Sequence, residues 1–314
     1  MAPSVPLQIC LAEPDEFAIC LQLVVMSWPA AYQASQVDAF LSGLAAAPQH
    51  YVLLAAKREG RIVGAVLAQL AAGRSAGVYP PQLFAGEDEA TATHLLQALH
   101  EHLIQRGVHL AQSLLTVESG VPASRMLAAG YEHVADLLYL LSEVAQFPDS
   151  APSLPFSLEA YDPSHPERLE RLIEATYVGT LDCPLVEDLR DTADVLAGYR
   201  AMGAFDPTRW LLATSEGRDI GCLILTDFPN LEAPDWSHVE LVYLGLIPAV
   251  RRRGWGIELA RQAQWIARQA NRSRILSSVD SSNIPAIRAY AACAFGVCDE
   301  RSVFVKGLRK RATT

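Results

Sequence analysis

From His238 to Ala270 the chain runs HVELVYLGLIPAVRRRGWGIELARQAQWIARQA, and few folds accommodate such a stretch. Val239, Leu241, Val242, Tyr243, Leu244 and Leu246 make an apolar run rich in strand formers and too short to span a bilayer, which predicts a buried strand. Pro248 cannot donate to a ladder and ends it. Ile257, Leu259, Ala260, Ala263, Ile266 and Ala267 then recur at helical spacing. Between strand and helix lie Arg251, Arg252 and Arg253, followed by Gly254-Trp255-Gly256. The expected order is strand, cationic glycine-bearing turn, helix.

A turn of this kind favours anions. The first amides of a helix are unpaired and carry the positive end of its dipole. Glycines let a ligand approach the backbone closely, and the arginines add charge, so a phosphate or pyrophosphate is the natural guest. Taken as bare chemistry, the same residues serve equally well as a solvated helix start with a shaped turn. Neither Gly-x-x-x-x-Gly-Lys-Ser/Thr nor Gly-x-Gly-x-x-Gly is present here. What tips the balance is that Arg251-x-x-Gly254-x-Gly256, directly after Leu244-Gly245-Leu246-Ile247-Pro248, resembles the acetyl-CoA pyrophosphate loop of the GNAT acyltransferases. Asp280-Ser281-Ser282-Asn283-Ile284-Pro285-Ala286-Ile287-Arg288-Ala289-Tyr290, ending at Ala294-Phe295, is similar to that family's next motif, with Ala294 in place of its glycine.

Length and composition set wider bounds. With 314 residues, 51% of them hydrophobic and 19% charged, the chain is long enough for two domains with cores. A net charge of −10 argues against a general nucleic-acid binder. The six cysteines (10, 20, 183, 222, 293, 298) fall at no metal-ligand spacing, and free thiols in a reducing compartment are expected. Nothing reads as a metal site. No leader or membrane span is read, and the expectation is a cytoplasmic protein with no membrane partner; oligomeric state is left open.

Taken in order, the chain predicts one sequence of elements twice: helix, helix, strand, strand, strand or loop, helix, strand, short helix, strand. Residues 145–155 are proline-rich and aperiodic and read as a linker, within 144–156. Ala129-Gly130-Tyr131 stands in the first half where Cys293-Ala294-Phe295 stands in the second. This is an internal duplication, and the expected fold class is α/β (α+β): two tandem GNAT folds over 1–143 and 157–314, each a mixed, mostly antiparallel sheet flanked by helices. At the first-half position of the anion loop lies Leu83-Phe84-Ala85-Gly86-Glu87-Asp88-Glu89, whose three carboxylates would repel a pyrophosphate, with Arg74 the only cation nearby in sequence. The expectation is a first half that keeps the fold without the cofactor site.

The resemblance implies an acetyl-CoA-dependent N-acyltransferase that passes an acetyl group directly to a primary amine on a small molecule or peptide, releasing CoA. The grip falls on Arg251, Arg252, Arg253, Gly254, Trp255, Gly256 and Ile257, with Asn283 against pantetheine or adenosine. The backbone of Leu244, Gly245 and Leu246 lies along a splayed strand. Tyr290 takes the acid position; its bland alternative is a packed helix tyrosine. Glu240, interrupting an apolar strand, is the base, with His238 or water as alternatives. Asp182, Asp227 and Tyr243 line the acceptor pocket, beneath a loop over 179–187. Cys183 as a nucleophile is disfavoured, because no partnering histidine is identifiable. The tandem architecture also resembles the mycothiol synthases, although no acceptor-specific residue supports that subclass. Competing readings are an acyl-CoA-binding sensor without turnover, and an interaction module that binds no CoA.

Overall fold

The computed structural model describes residues 6–230 and 237–309, and of Glu187 and Asp188 the backbone only. The first elements are β1 (Gln8–Leu11), α1 (Phe17–Val24), α2 (Ala30–Ala46), β2 (Tyr51–Arg58), β3 (Arg61–Ala71), β4 (Ser75–Leu83), α3 (Ala90–Gln105), β5 (Leu110–Thr116), α4 (Gly120–Ala128) and β6 (Glu132–Glu143). There follow β7 (Ser157–Ala160), α5 (Pro166–Tyr177), α6 (Thr192–Ala201), β8 (Trp210–Ser215), β9 (Arg218–Phe228), β10 (His238–Leu246), α7 (Trp255–Gln269), β11 (Arg274–Asp280), α8 (Ile284–Ala291) and β12 (Gly296–Gly307). The expected elements are present. Short strands β1 and β7 are additional, and the fifth expected element of the first half, read as strand or loop, is strand β4 in spite of Pro80-Pro81. Among the described residues no helix is long and apolar enough to cross a membrane.

In the first unit, residues 1–133 with 303–314, the sheet is covered on both faces. Successive residues of β2 show why its sequence is apolar throughout. Val52, Leu54 and Ala56 face a core with Leu95, Leu99 and Leu103 of α3, and Leu53 and Ala55 face a second core with Leu21 and Val24 of α1 and Phe40 of α2. The second unit, residues 134–302, repeats the plan. Leu223, Leu225, Val239 and Leu241 pack on Leu259, Ala263 and Ala267 of α7. Leu212, Cys222 and Ile224 pack on Leu169 and Ile173 of α5.

The duplication extends to single turns. The β2–β3 hairpin turns through Glu59 (φ 48°) and Gly60 (φ 76°), and β8–β9 through Glu216 (φ 50°) and Gly217 (φ 71°), both with the paired positive φ that matches strand twist. After α4, Gly130 is left-handed (φ 80°) and the Tyr131 amide donates to the Met126 carbonyl at 3.1 Å. After α8, Ala294 takes the same conformation (φ 55°) and the Phe295 amide donates to the Tyr290 carbonyl at 3.1 Å. Alanine where the first half has glycine therefore keeps the turn and accepts left-handed strain.

The compact units differ from the sequence halves at both ends. Strand β6 pairs antiparallel with β11 along seven positions, from Leu137↔Asp280 to Glu143↔Arg274, and so belongs to the second unit from Val134 onward. Strand β12 enters the first unit from Val303, where Phe304 and Leu308 join the core of α3. Alternating apolar residues specify a strand but not its neighbour. The segment read as a linker is irregular, yet Phe147 and Phe156 are buried in the second core, and Arg268 of α7 donates to the carbonyls of Val144 (3.2 Å) and Phe147 (2.9 Å).

Two tests follow from this packing. Residues 157–314 expressed alone lack β6, Leu140 and Phe147, leaving β11 without its antiparallel partner and the second core without the burial of Leu140, a loss of about 2 kcal/mol for that one side chain. Circular dichroism and thermal melts are expected to show no cooperative fold for this fragment. Ala294→Gly is expected to stabilise the full chain by about 1 kcal/mol through relief of left-handed strain, read by denaturant unfolding; a destabilised variant contradicts it.

Candidate functional site

The site begins where two parallel strands part. Strands β10 and β11 pair at only three positions, Val239↔Ile275, Glu240↔Leu276 and Leu241↔Ser277. On its other edge β10 stays with β9 as far as Leu246↔Gly221, with a register slip that leaves Val242 as an extra, bulged residue. Strand β11 meanwhile follows β6. The last tie across the split is Ser277 Oγ donating to the Leu241 carbonyl at 3.1 Å. Beyond it opens a cavity of about 630 Å³, with Val242 to Leu246 on one wall and Ser277 to Val279 on the other.

Local sequence keeps β10 in this path. A Cβ on Gly245 would lie 2.8 Å from Thr176 Oγ1 and from the Tyr243 ring, so a larger residue there would displace one of them. The crowding comes from the protein itself: the Tyr243 hydroxyl lies against β10 and shares a 2.7 Å hydrogen bond with Thr176. Tyr243 lines the cavity as expected and rests on Tyr199 (6.2 Å, 28°) and Tyr177 (6.0 Å, 89°).

At the far end, Gly254 (φ 80°) caps α7, and among the described residues the Trp255 and Gly256 amides have no backbone partner. A Cβ on Gly256 would meet nothing within 4 Å, and Gly256 lines the cavity, so its smallness leaves space beside the helix terminus. The three arginines divide. Arg251 is tied inward: Nε donates to the Leu246 carbonyl (3.0 Å), Nη1 to Gly179 (3.0 Å) and Nη2 to Thr176 (2.8 Å), so its guanidinium holds the loop against the end of α5. Arg253 bonds the Ala249 carbonyl (3.3 Å) and covers the Trp255 ring at 5.2 Å, and neither residue lines the cavity. Trp255 itself packs on Phe156 at 5.4 Å. Arg252 lines the cavity in a left-handed conformation (φ 64°), is exposed, and has no side-chain partner among the described residues. Leu244, Leu246 and Ile257 line it as well.

Tyr290 of α8 is buried (8% exposed), lines the cavity, and meets Phe295 edge-on at 5.3 Å. Burial pushes its hydroxyl up to about 12 while Ser277 pulls the other way, so it stays protonated at neutral pH. Asn283 lines the cavity with its Oδ1 occupied in capping α8, accepting from the Ala286 amide at 3.2 Å.

Asp182 lines the opposite end, exposed at its outer edge. Its Oδ1 accepts from the Asp280 amide at 3.0 Å, and Asp280 Oδ2 accepts from the Cys183 amide at 3.1 Å, fixing this loop to the end of β11. Desolvation raises the Asp182 carboxyl and the bond from the Asp280 amide opposes that rise. Burial pushes the Cys183 thiol up to about 12, which keeps it protonated and a poor nucleophile.

Three expected residues stand elsewhere. Asp227 forms a two-pronged ion pair with Arg272 (2.7 Å on both oxygens) and does not line the cavity. Glu240 is half-buried, with its carboxyl raised by burial and eased by His238, but it too lies outside the lining. His238 is stacked on Phe228 at 5.0 Å and 7°. Residues not singled out from sequence but present in the wall include Thr176, Tyr177, Ser277 and Arg288. Ser277-Ser278, polar between Ile275-Leu276 and Val279 in the middle of the strand, was the available signal for one of them.

The first unit shows the same split without the same cavity wall. Strands β4 and β5 pair at three positions, Ser75↔Leu110 to Gly77↔Gln112, and β4 slips register across Pro80-Pro81. Arg125 of α4 donates to the Pro81 carbonyl (2.8 Å) and Gln82 Oε1 (3.2 Å) on the unpaired part of β4, and to Glu89 at 2.7 Å. Counting back from the left-handed residue, Met126, fully buried, stands where Tyr290 stands. Contrary to the expectation from sequence, Arg74 is not the only cation near these carboxylates: Glu87 is paired with Arg58 (2.9 Å) and Glu89 with Arg125, and Asp88 Oδ1 accepts from the Ala90 amide at 2.9 Å.

Comparison with known proteins agrees with this geometry. Residues 169–295 match the acetyltransferase (GNAT) family model. A search of curated proteins finds no match. Among solved structures, a GCN5-related N-acetyltransferase from Sphaerobacter thermophilus is similar over 98% of both chains at 17% identity, with a TM-score of 0.61. A glucosamine N-acetyltransferase region of a fungal multi-domain beta-N-acetylglucosaminidase covers 97% of this chain and 38% of that chain at 14% identity, TM-score 0.62. A tandem GNAT protein from the clavulanic acid biosynthesis pathway covers 97% and 99% at 14% identity, TM-score 0.49. In fold the chain is similar to the GNAT acetyltransferases, built as two such folds in tandem, and residues 169–295 match that family in sequence.

Proposed function

We propose that the second unit binds acetyl-CoA in the 630 Å³ cavity and transfers its acetyl group to a primary amine. The observation that carries this reading is one cavity that joins an amide-rich helix start with an unpaired Arg252, a split between parallel strands, and a protonated tyrosine. The residues present fit the molecule. The Trp255 and Gly256 amides and Arg252 suit a diphosphate. The backbone of Leu244 to Leu246, freed from β11, suits the amide-bearing arm as a third strand partner. Arg251 shapes the loop, and Arg253 and Trp255 support it from behind.

Bound there, acetyl-CoA supplies an acetyl group activated as a thioester. Tyr290 holds a proton on its Oη for the departing sulfur. Asp182 faces the amine as the ammonium's partner, and the tyrosine cluster of 177 and 243 excludes water from its apolar part. Glu240, set back from the cavity with a raised carboxyl, takes the ammonium proton through water. That set-back position is also what favours the second reading, acyl-CoA binding without turnover, and a panel of amines with a free-thiol readout decides between them. The first unit, with Arg125 bonded to β4 where it leaves β5 and Met126 in place of the tyrosine, carries no CoA.

Gly256→Glu is expected to weaken CoA binding at least about a hundredfold by filling and charging the helix start, with the melting temperature little changed; unchanged affinity measured by calorimetry removes the loop from the site. Tyr290→Phe is expected to lower turnover by about a hundredfold with CoA affinity retained, and full activity removes Tyr290 from the chemistry.

A further inference from the structure

We propose that Arg288 on α8 binds the phosphate monoester on the adenosine ribose of coenzyme A, so that the site selects the 3′-phosphorylated cofactor over its dephosphorylated form. This rests on the CoA reading above and adds a specificity residue to it.

Coenzyme A presents two separate anionic groups, a diphosphate and a ribose phosphate that carries nearly two charges at neutral pH. The wall of the cavity presents two separate cations that remain open. Arg252 stands beside the α7 terminus, where the free amides also are. Arg288 stands on another helix, is exposed, and has no hydrogen bond or ion pair among the described residues. The contrast with its neighbours is informative: Arg251 and Arg253 are tied to backbone carbonyls. The chain carries 35 acidic residues against 25 basic ones, so an arginine without a carboxylate partner is not for want of carboxylates.

Position on α8 separates the two groups. Pro285 and Ala289 share the cavity-facing side of the helix, and Arg288 adjoins them at its edge, one turn beyond Asn283. The N-terminus of α8 is already capped by Asn283, so a phosphate there would find the guanidinium and not the helix amides. The apolar split between β10 and β11 takes the pantetheine arm, which leaves the polar adenosine end at the exposed rim that Arg288 occupies. Its place in the last turn of α8 also suits a cation on dipole grounds, which accounts for the charge but not for its place in the cavity wall.

Isothermal titration of the full chain with CoA and with 3′-dephospho-CoA tests this, using wild type, Arg288→Gln and Arg252→Gln. Wild type is expected to bind CoA about tenfold more tightly than the dephosphorylated form, the scale of one charge-assisted contact. Arg288→Gln is expected to erase that ratio by weakening CoA alone, and Arg252→Gln to weaken both and keep the ratio. Equal affinities in wild type, or loss of both ligands alike in Arg288→Gln, overturn the inference while leaving the cofactor assignment intact. Absence of binding by either ligand removes both.

Discussion

The divergence of β10 from β11 after three paired residues is the constraint on which the second unit's cavity depends. Parallel strands held together along their length leave no room for a ligand and no free backbone groups. Here the bulge at Val242 turns β10 away, and β6 draws β11 to the other side. The split is held open by specific contacts: Tyr243 reaching Thr176 over Gly245, and Arg251 bonding the carbonyls of Leu246, Thr176 and Gly179. One guanidinium thus joins the strand, the turn before α7 and the segment that follows α5.

The two units show how a shared scaffold separates from a shared function. Both have the hairpin turn with paired positive φ, the three-residue parallel pairing, and the left-handed residue after the short helix. In the first unit Arg125 of α4 holds the part of β4 that leaves β5, bonding Pro81, Gln82 and Glu89 at once. The carboxylates at the α3 start pair with Arg58 and Arg125, and Met126 offers no hydroxyl. In the first unit these polar groups are satisfied by the chain itself.

Within the site, legibility followed chemistry that depends on neighbours in sequence. Gly254, Gly256 and Arg252 are close in the chain and close in space, and the loop they make is where the pattern placed it. Tyr290 lay at helical spacing from Asn283 and faces the cavity. Asp227 and Glu240 misled for one reason: a carboxylate in an apolar strand signals a special environment, but not which one. For Asp227 the environment is Arg272, 45 residues away, and for Glu240 it is a half-buried place outside the cavity wall. The arginine triplet held the same ambiguity, since charge in sequence does not say which guanidinium is already bonded.

What the sequence by itself determined was the element order, the repeat, the anion-favouring turn and the two faces of each strand. These follow from local propensities, from the periods of two and 3.6 residues, and from the dihedrals open to glycine and closed to proline. Only the tertiary structure decided which strand completes which sheet, which arginines stay open to a ligand, and that the proline-rich segment packs its phenylalanines into a core. Each of those is a choice among partners far apart in the chain, settled by the pairing of edges and the burial of side chains, which no local pattern encodes.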